Sequence, residues 1–152
     1  MPINKEDLIK MIILDEPDYH SIVSKLSADD VPTLVELSKN PNPAIATKAI
    51  SCLGLMKSES ALTGLQELIS HPDPVRRVAV ANSLRNMTTV QGSVQMLDNL
   101  LDDTDIGVRK FALKAIEFGN ISQLKEKVRI LNKREANSTL KTMSQQILEK
   151  LQ

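Results

Sequence analysis

The sequence predicts an all-α fold, an α-α superhelix (solenoid) of about five helical-hairpin repeats. Three observations carry that prediction. A tight turn followed by an amphipathic helix recurs along the chain, most clearly as His71-Pro-Asp-Pro-Val-Arg-Arg-Val-Ala-Val-Ala-Asn-Ser-Leu84. A second helical pattern precedes each copy, so the unit is a helix pair with a period of about 30 residues, and such a pair cannot bury its apolar face without neighbours. The composition is 41% hydrophobic but only 2% aromatic, which leaves the core to Leu, Ile, Val, Ala and Met and suits packed helices better than strands.

The turn explains itself. Asp73 can accept hydrogen bonds from free amides at a helix start, and Pro74 suits the first helical position because its missing N–H would be unpaired there. Val80, Ala81 and Leu84 then share one face. The pattern recurs upstream from Asn40 to Leu53 and downstream from Asp103 to Ile116. Asn42, Asp73 and Asp105 share the cap position at offsets of 31 and 32 residues, and Leu53, Leu84 and Ile116 share a core position at the same offsets. Ala49, Val80 and Ala112 also match, as do Ile50, Ala81 and Leu113. In the preceding helices Leu34/Leu37, Leu65/Leu68 and Leu97/Leu100 repeat in the same way.

Taken in order, residues 4–14 form the first helix, with Asn4 as cap, Glu6 and Asp7 in the dipole-favoured first turn, and Leu8 and Ile12 facing inward. After the turn Asp15-Glu-Pro-Asp18, Tyr19, Ile22, Val23 and Leu26 mimic Ala46, Ala49, Ile50 and Leu53 at an offset of 27. Residues 1–27 are therefore expected to be a degenerate capping repeat. The second repeat, 28–57, starts at Asp29 or Asp30. The third, 58–88, starts at Ser58 or Ser60. The fourth, 89–120, starts around Thr88/Thr89 and stops at Gly119-Asn120. The fifth, 121–152, has Ser122 as cap, then Leu124, Val128 and Leu131, and a final helix with Leu140, Met143, Ile147, Leu148 and Leu151. Its polar substitutions, Arg129 and Gln145, predict a second cap.

The segment Asp103-Thr-Asp105-Ile-Gly-Val108-Arg109-Lys-Phe-Ala112-Leu-Lys-Ala115-Ile116 resembles the second-helix pattern of HEAT repeats, in the short form also seen in bilin-lyase-like HEAT proteins. His71 to Leu84 fits with His71 in place of the first Asp, and Asn40 to Leu53 fits with Ala46 in place of the Arg. The resemblance covers essentially the whole chain. It is specific for architecture and silent about chemistry. It implies that the second helices line a concave groove and that Arg77 and Arg109 form a structural ladder with partners such as Asp103.

Little in the sequence points to catalysis. Asp102, Asp103 and Asp105 lack the Gly and later Glu of a calcium loop, so they read as a capped turn in which Asp103 bonds repeat arginines. The planar donor fork of Arg77 and Arg109 suits bridging between turns. His20 and His71 have no Cys or second His at metal-ligand spacing, and neither has a Ser or Cys partner. There is no glycine-rich phosphate loop among only five glycines. No metal or cofactor is expected. The lone Cys52 excludes an internal disulfide framework and reads as a small core hydrophobe. Ile12-Ile-Leu14 is too short for a signal-peptide core, and no apolar run reaches a membrane span. The expectation is a cytoplasmic protein, without membrane contact, that is a monomer or weak oligomer.

The residues left outside the repeat's core pattern carry the functional expectation. In the second helices these are Lys48 and Ser51, then Asn82, Arg85 and Asn86, then Phe111, Lys114 and Phe118, then Met143 and Gln146. Both phenylalanines of the chain sit in this set, seven residues apart on one helix, flanked by cations. The reading is a non-catalytic scaffold or adaptor that binds a protein or peptide along the concave face. Two alternatives stay open. One is a nucleic-acid-binding relative like the HEAT-like DNA glycosylases; 19 basic against 19 acidic residues and the absence of Trp count against it. The other is a bilin lyase or phycobilisome-related factor, implied by the repeat subtype alone; the chain is short for such a lyase unless a second subunit completes it.

Overall fold

The computed structural model describes residues 2–152. These hold ten α-helices, three single 3-10 turns and no strand. The helices are α1 (Lys5–Ile12), α2 (Tyr19–Ser24), α3 (Val31–Ser38), α4 (Pro43–Met56), α5 (Glu59–Gln66), α6 (Pro74–Ser83), α7 (Ser93–Leu100), α8 (Ile106–Gly119), α9 (Lys125–Arg134) and α10 (Ser138–Lys150). They alternate in sequence order between two layers; α3, α7 and α9 pack on the helix that follows them, whereas α5 lies mainly on α4 before it.

The second helix of each pair starts the same way. Asp18, Asn42, Asp73, Asp105 and Asn137 sit at the N-caps of α2, α4, α6, α8 and α10, and each side chain accepts from a backbone amide of the first turn. One residue type, a short side chain with an acceptor oxygen, thus satisfies five helix starts. Asn120 ends α8 in the left-handed conformation at φ 48°, which the Gly119-Asn120 stop anticipates.

Two first helices start as expected, α1 at the Asn4 cap and α5 at the Ser58 cap, and the others differ in how they are capped. Asp30 stands at the N-cap of α3 but makes no side-chain cap bond there, and a 3-10 turn capped by Ser27 precedes it. Ser27 and Asp30 form a capping box around the 3-10 turn Ala28–Asp30, and the buried Asp30 carboxylate also accepts from the amide of Ile3. In the fourth repeat the helix begins at Ser93 rather than near Thr88/Thr89. Gly92 at φ 99° turns the chain, and Ser93 Oγ reaches back to the carbonyl of Thr88. Ser122 caps nothing: it opens a 3-10 turn, Ser122–Leu124, and α9 starts at Lys125 without a side-chain cap. The first helix ends at Ile12, leaving Ile13 and Leu14 exposed.

Two layers result. α2, α4, α6, α8 and α10 pack on one another in succession. In the other layer only α3 and α5 touch extensively; α7 and α9 lie mainly on their own partners. One continuous core runs between the layers from Leu8 to Leu151, and Leu53, Leu84 and Ile116 are all fully buried in it. Close approach between neighbouring helices of the second-helix layer needs small residues. A Cβ on Gly54 would stand 2.8 Å from Ser83 Cβ and 3.0 Å from the Ser83 carbonyl oxygen, and Ser83 Oγ donates to the carbonyl of Ile50 across the same crossing.

Candidate partner-binding face

The repeats are locked in register on the side of the turns. Asn40, His71, Asp103 and Glu135 occupy equivalent turn positions, and each accepts the amide of the residue two further on, at 2.8, 3.0, 2.8 and 3.1 Å. Arg77 then reaches one repeat forward and bonds both oxygens of Asp103, at 2.9 and 3.1 Å, while its other nitrogen donates to the carbonyl of His71. Arg109 does the same to Glu135, at 2.9 and 2.9 Å, and donates to the carbonyl of Asp103. Each arginine thereby ties its own turn to the next. All three nitrogens of each guanidinium are engaged within the chain, four of its five N–H donors in all.

The ladder leaves marks on the titration of its members. The hydrogen bonds that Arg77 donates to Asp103 hold its guanidinium above its ordinary value. Burial pushes the Glu135 carboxyl up, but the bonds from Arg109 outweigh that and hold it below the ordinary carboxylate range. At the outer edge Asp102 is likewise held down against its burial, by Lys127 at 2.7 Å and Arg134 at 2.5 Å. Where Ala46 replaces the ladder arginine, Arg76 tucks back instead: it is buried and donates to the carbonyl of Pro41.

The opposite side of the second-helix layer is the free face, and the ten residues expected there divide into two groups. Lys48, Ser51, Asn86, Phe111 and Met143 are half-buried. Lys48 is committed within the chain, its ammonium donating to the carbonyl of Leu14 at 2.6 Å, and Ser51 donates to the carbonyl of Thr47. Phe111 and Met143 pack against the core. Asn82, Arg85, Lys114, Phe118 and Gln146 are exposed. The two phenylalanines therefore have different surroundings despite their seven-residue spacing. Phe118 is 64% exposed and carries the Arg85 guanidinium 4.7 Å from its ring centre, whereas the half-buried Phe111 ring lies under Lys114 at 5.2 Å.

Two clefts open on this face. One of about 530 Å³ lies between α8 and α10 and is lined by Lys114, Glu117, Thr139, Thr142, Met143, Gln146 and Lys150. The other, about 440 Å³, lies between α2, α4 and α6 and is lined by Tyr19, His20, Ser51, Asn82, Arg85 and Asn86. Burial pushes the Tyr19 phenol up, so it is a neutral hydrogen-bonding group in that cleft. Arg85 borders the second cleft and Phe118 stacks on it toward α8, which makes the pair the divide between the two.

Several participants were not evident from the sequence. Glu135 is the last ladder acceptor, and Asn137 caps α10, yet the turn Lys133-Arg-Glu-Ala136 departs from the Asp-x-Asp form; the offset of 32 from Asp103 and Asp105 is the signal that locates both. Glu117 and Lys150, which pair at 2.8 Å across the larger cleft, lie on opposite helices 33 residues apart and carry no local signal.

A family model for HEAT repeats matches residues 31–117, from the start of α3 almost to the end of α8. The chain belongs to the HEAT-repeat family. The match covers more than half of this HEAT-repeat protein and spans its three central helix pairs. A comparison with curated proteins finds no match. HEAT repeats generally mediate protein–protein interaction. No helix of this HEAT-repeat protein is long and apolar enough to cross a membrane, among the described residues.

Proposed function

We propose that this chain is a non-catalytic scaffold that docks a partner protein on the free face of its second-helix layer. The observation that carries the reading is Phe118, an aromatic ring left 64% exposed at the divide between two clefts and oriented by Arg85. Aromatic and arginine side chains are the residues that anchor interfaces, because they bring large contact area at small entropic cost. The family supports the same direction, since HEAT repeats generally act through protein contacts.

The chemistry of the remaining reactive groups favours a role without catalysis. Burial pushes the Cys52 thiol up to about 12, which removes the thiolate at neutral pH. His20 sits in α2 and His71 in the turn before α6, where its Nδ1 accepts from Asp73.

Site-directed photocrosslinking in the native cell tests the proposal. A benzophenone amino acid in place of Phe118 is expected to give a protein adduct of discrete mass. The same group in place of Gln95, exposed on α7 in the other layer, is expected to give none. Absence of an adduct at 118, or the same adduct at both positions, would refute docking on this face.

A further inference from the structure

The zero net charge of the chain conceals a segregation. On the free face of α4, α8, α10 and the 3-10 turn after α6 the cations are Lys48, Arg85, Lys110, Lys114 and Lys150, and the carboxylates are Glu117, already paired with Lys150, and Asp18, the cap of α2, which lines the smaller cleft with Arg85. Among the described residues Arg85, Lys110 and Lys114 have no carboxylate within ion-pair distance; each lies instead over an aromatic ring, Arg85 over Phe118 and the two lysines over Phe111. Elsewhere the chain neutralises many of its cations: Lys5, Lys39, Lys127, Arg129 and Arg134 all sit within ion-pair distance of carboxylates. Like charges gathered without counter-charge repel one another. A ligand of opposite sign relieves that repulsion.

We propose that the occupant of this face is an extended acidic peptide segment with one apolar side chain, lying across α6, α8 and α10. Its carboxylates meet Arg85 and Lys114 and share the Lys150 ammonium with Glu117, and its apolar side chain covers the free side of the Phe118 ring. The inference rests on the reading of this face as a docking surface and adds the chemistry of what docks. The dimensions fit. Two helix-to-helix steps of about 9 Å each are spanned by about six residues of extended chain at about 3.3 Å per residue. Asn82, Gln146 and Thr142 supply donors and acceptors along the track for a peptide backbone. A nucleic acid fits less well. A phosphate backbone carries charge at every step and would meet Glu117 in the middle of the face, whereas a peptide can place a neutral residue there. Phe118 is also the one exposed aromatic on which a base could stack.

Fluorescence anisotropy tests the proposal with a labelled peptide of about eight residues, Glu and Asp throughout with one central Leu, and with an oligothymidylate of equal charge. The acidic peptide is expected to bind, more weakly as salt rises. Lys114→Glu/Lys150→Glu is expected to weaken it about tenfold or more, Phe118→Ala about threefold, and Lys133→Glu on the exposed side of α9 less than about twofold. The neutral pair Lys114→Gln/Lys150→Gln, checked for native helicity by circular dichroism, gives an intermediate loss. No binding of the peptide, an equal loss with Lys133→Glu, or tighter binding of the oligothymidylate would each overturn the proposal. If the benzophenone at 118 captures a protein while the acidic peptide fails to bind, the docking surface stands and its acidic ligand falls.

Discussion

Glu135→Gln tests whether the arginine ladder holds the repeats together. The Arg109 and Glu135 side chains are 15% and 4% exposed and share two charge-assisted hydrogen bonds of 2.9 Å. Hydrogen bonds to charged groups contribute about 1.5 to 3 kcal/mol each, and breaking one side of a buried pair costs about 3 to 5 kcal/mol. Glutamine keeps the shape and one acceptor, and the Arg109 guanidinium keeps its carbonyl partners and some water. The expected loss at neutral pH is therefore about 2 to 3 kcal/mol. With an m-value of about 2 kcal/mol/M, the urea midpoint falls by about 1 to 1.5 M at unchanged slope. The pH dependence gives an independent check. Because Arg109 holds the folded carboxyl below its ordinary value of 4.5, the contribution is present in full above that value and is lost as pH falls through the depressed one. Wild type and variant thus converge in acid. A gap below about 0.5 kcal/mol at neutral pH, the level of an ordinary surface substitution, or a gap that does not shrink in acid, would refute the argument.

Other expectations follow from packing and burial. Leu84→Ala, fully buried in the middle repeat, should cost about 2 to 5 kcal/mol by urea denaturation. Gly54→Ala should destabilise even though alanine gains about 1 kcal/mol of helix propensity, because the new methyl meets the Ser83 backbone oxygen at 3.0 Å, which no side-chain rotation relieves; a rise in melting temperature would contradict the close approach of α4 and α6. Cys52 should resist a thiol reagent in the native protein at neutral pH and react at once in denaturant, since its thiol is buried with a pKa pushed up to about 12.

The architecture was legible because the apolar pattern and the caps repeat together. Asn42, Asp73 and Asp105 announce three helix starts, and Leu53, Leu84 and Ile116 mark one shared core line, so each copy checks the others. Among the first helices the Asn4 and Ser58 caps of α1 and α5 were legible, but the starts of α3, α7 and α9 were not, because no repeat position governs them. Ser27 with Asp30, Gly92 and the 3-10 turn at Ser122 are three different local solutions, and Asp30 is recruited by a contact with Ile3 from 27 residues away. The free face was legible as a stripe but not in its occupancy. Helical spacing puts Phe111 and Phe118 in line, yet tertiary packing half-buries the first and exposes the second. Lys48 falls on the stripe as well, and only the fold shows that its ammonium is taken by the carbonyl of Leu14, just past the end of α1.

Hydrogen–deuterium exchange of the chain, free and bound to the protein captured at position 118, tests the central claim most directly. Docking on the second-helix layer predicts slower exchange in α6, α8 and α10 on binding, with α5, α7 and α9 unchanged. Protection confined to α5, α7 and α9, with the second helices unaltered, would place the partner on the other layer and contradict the account.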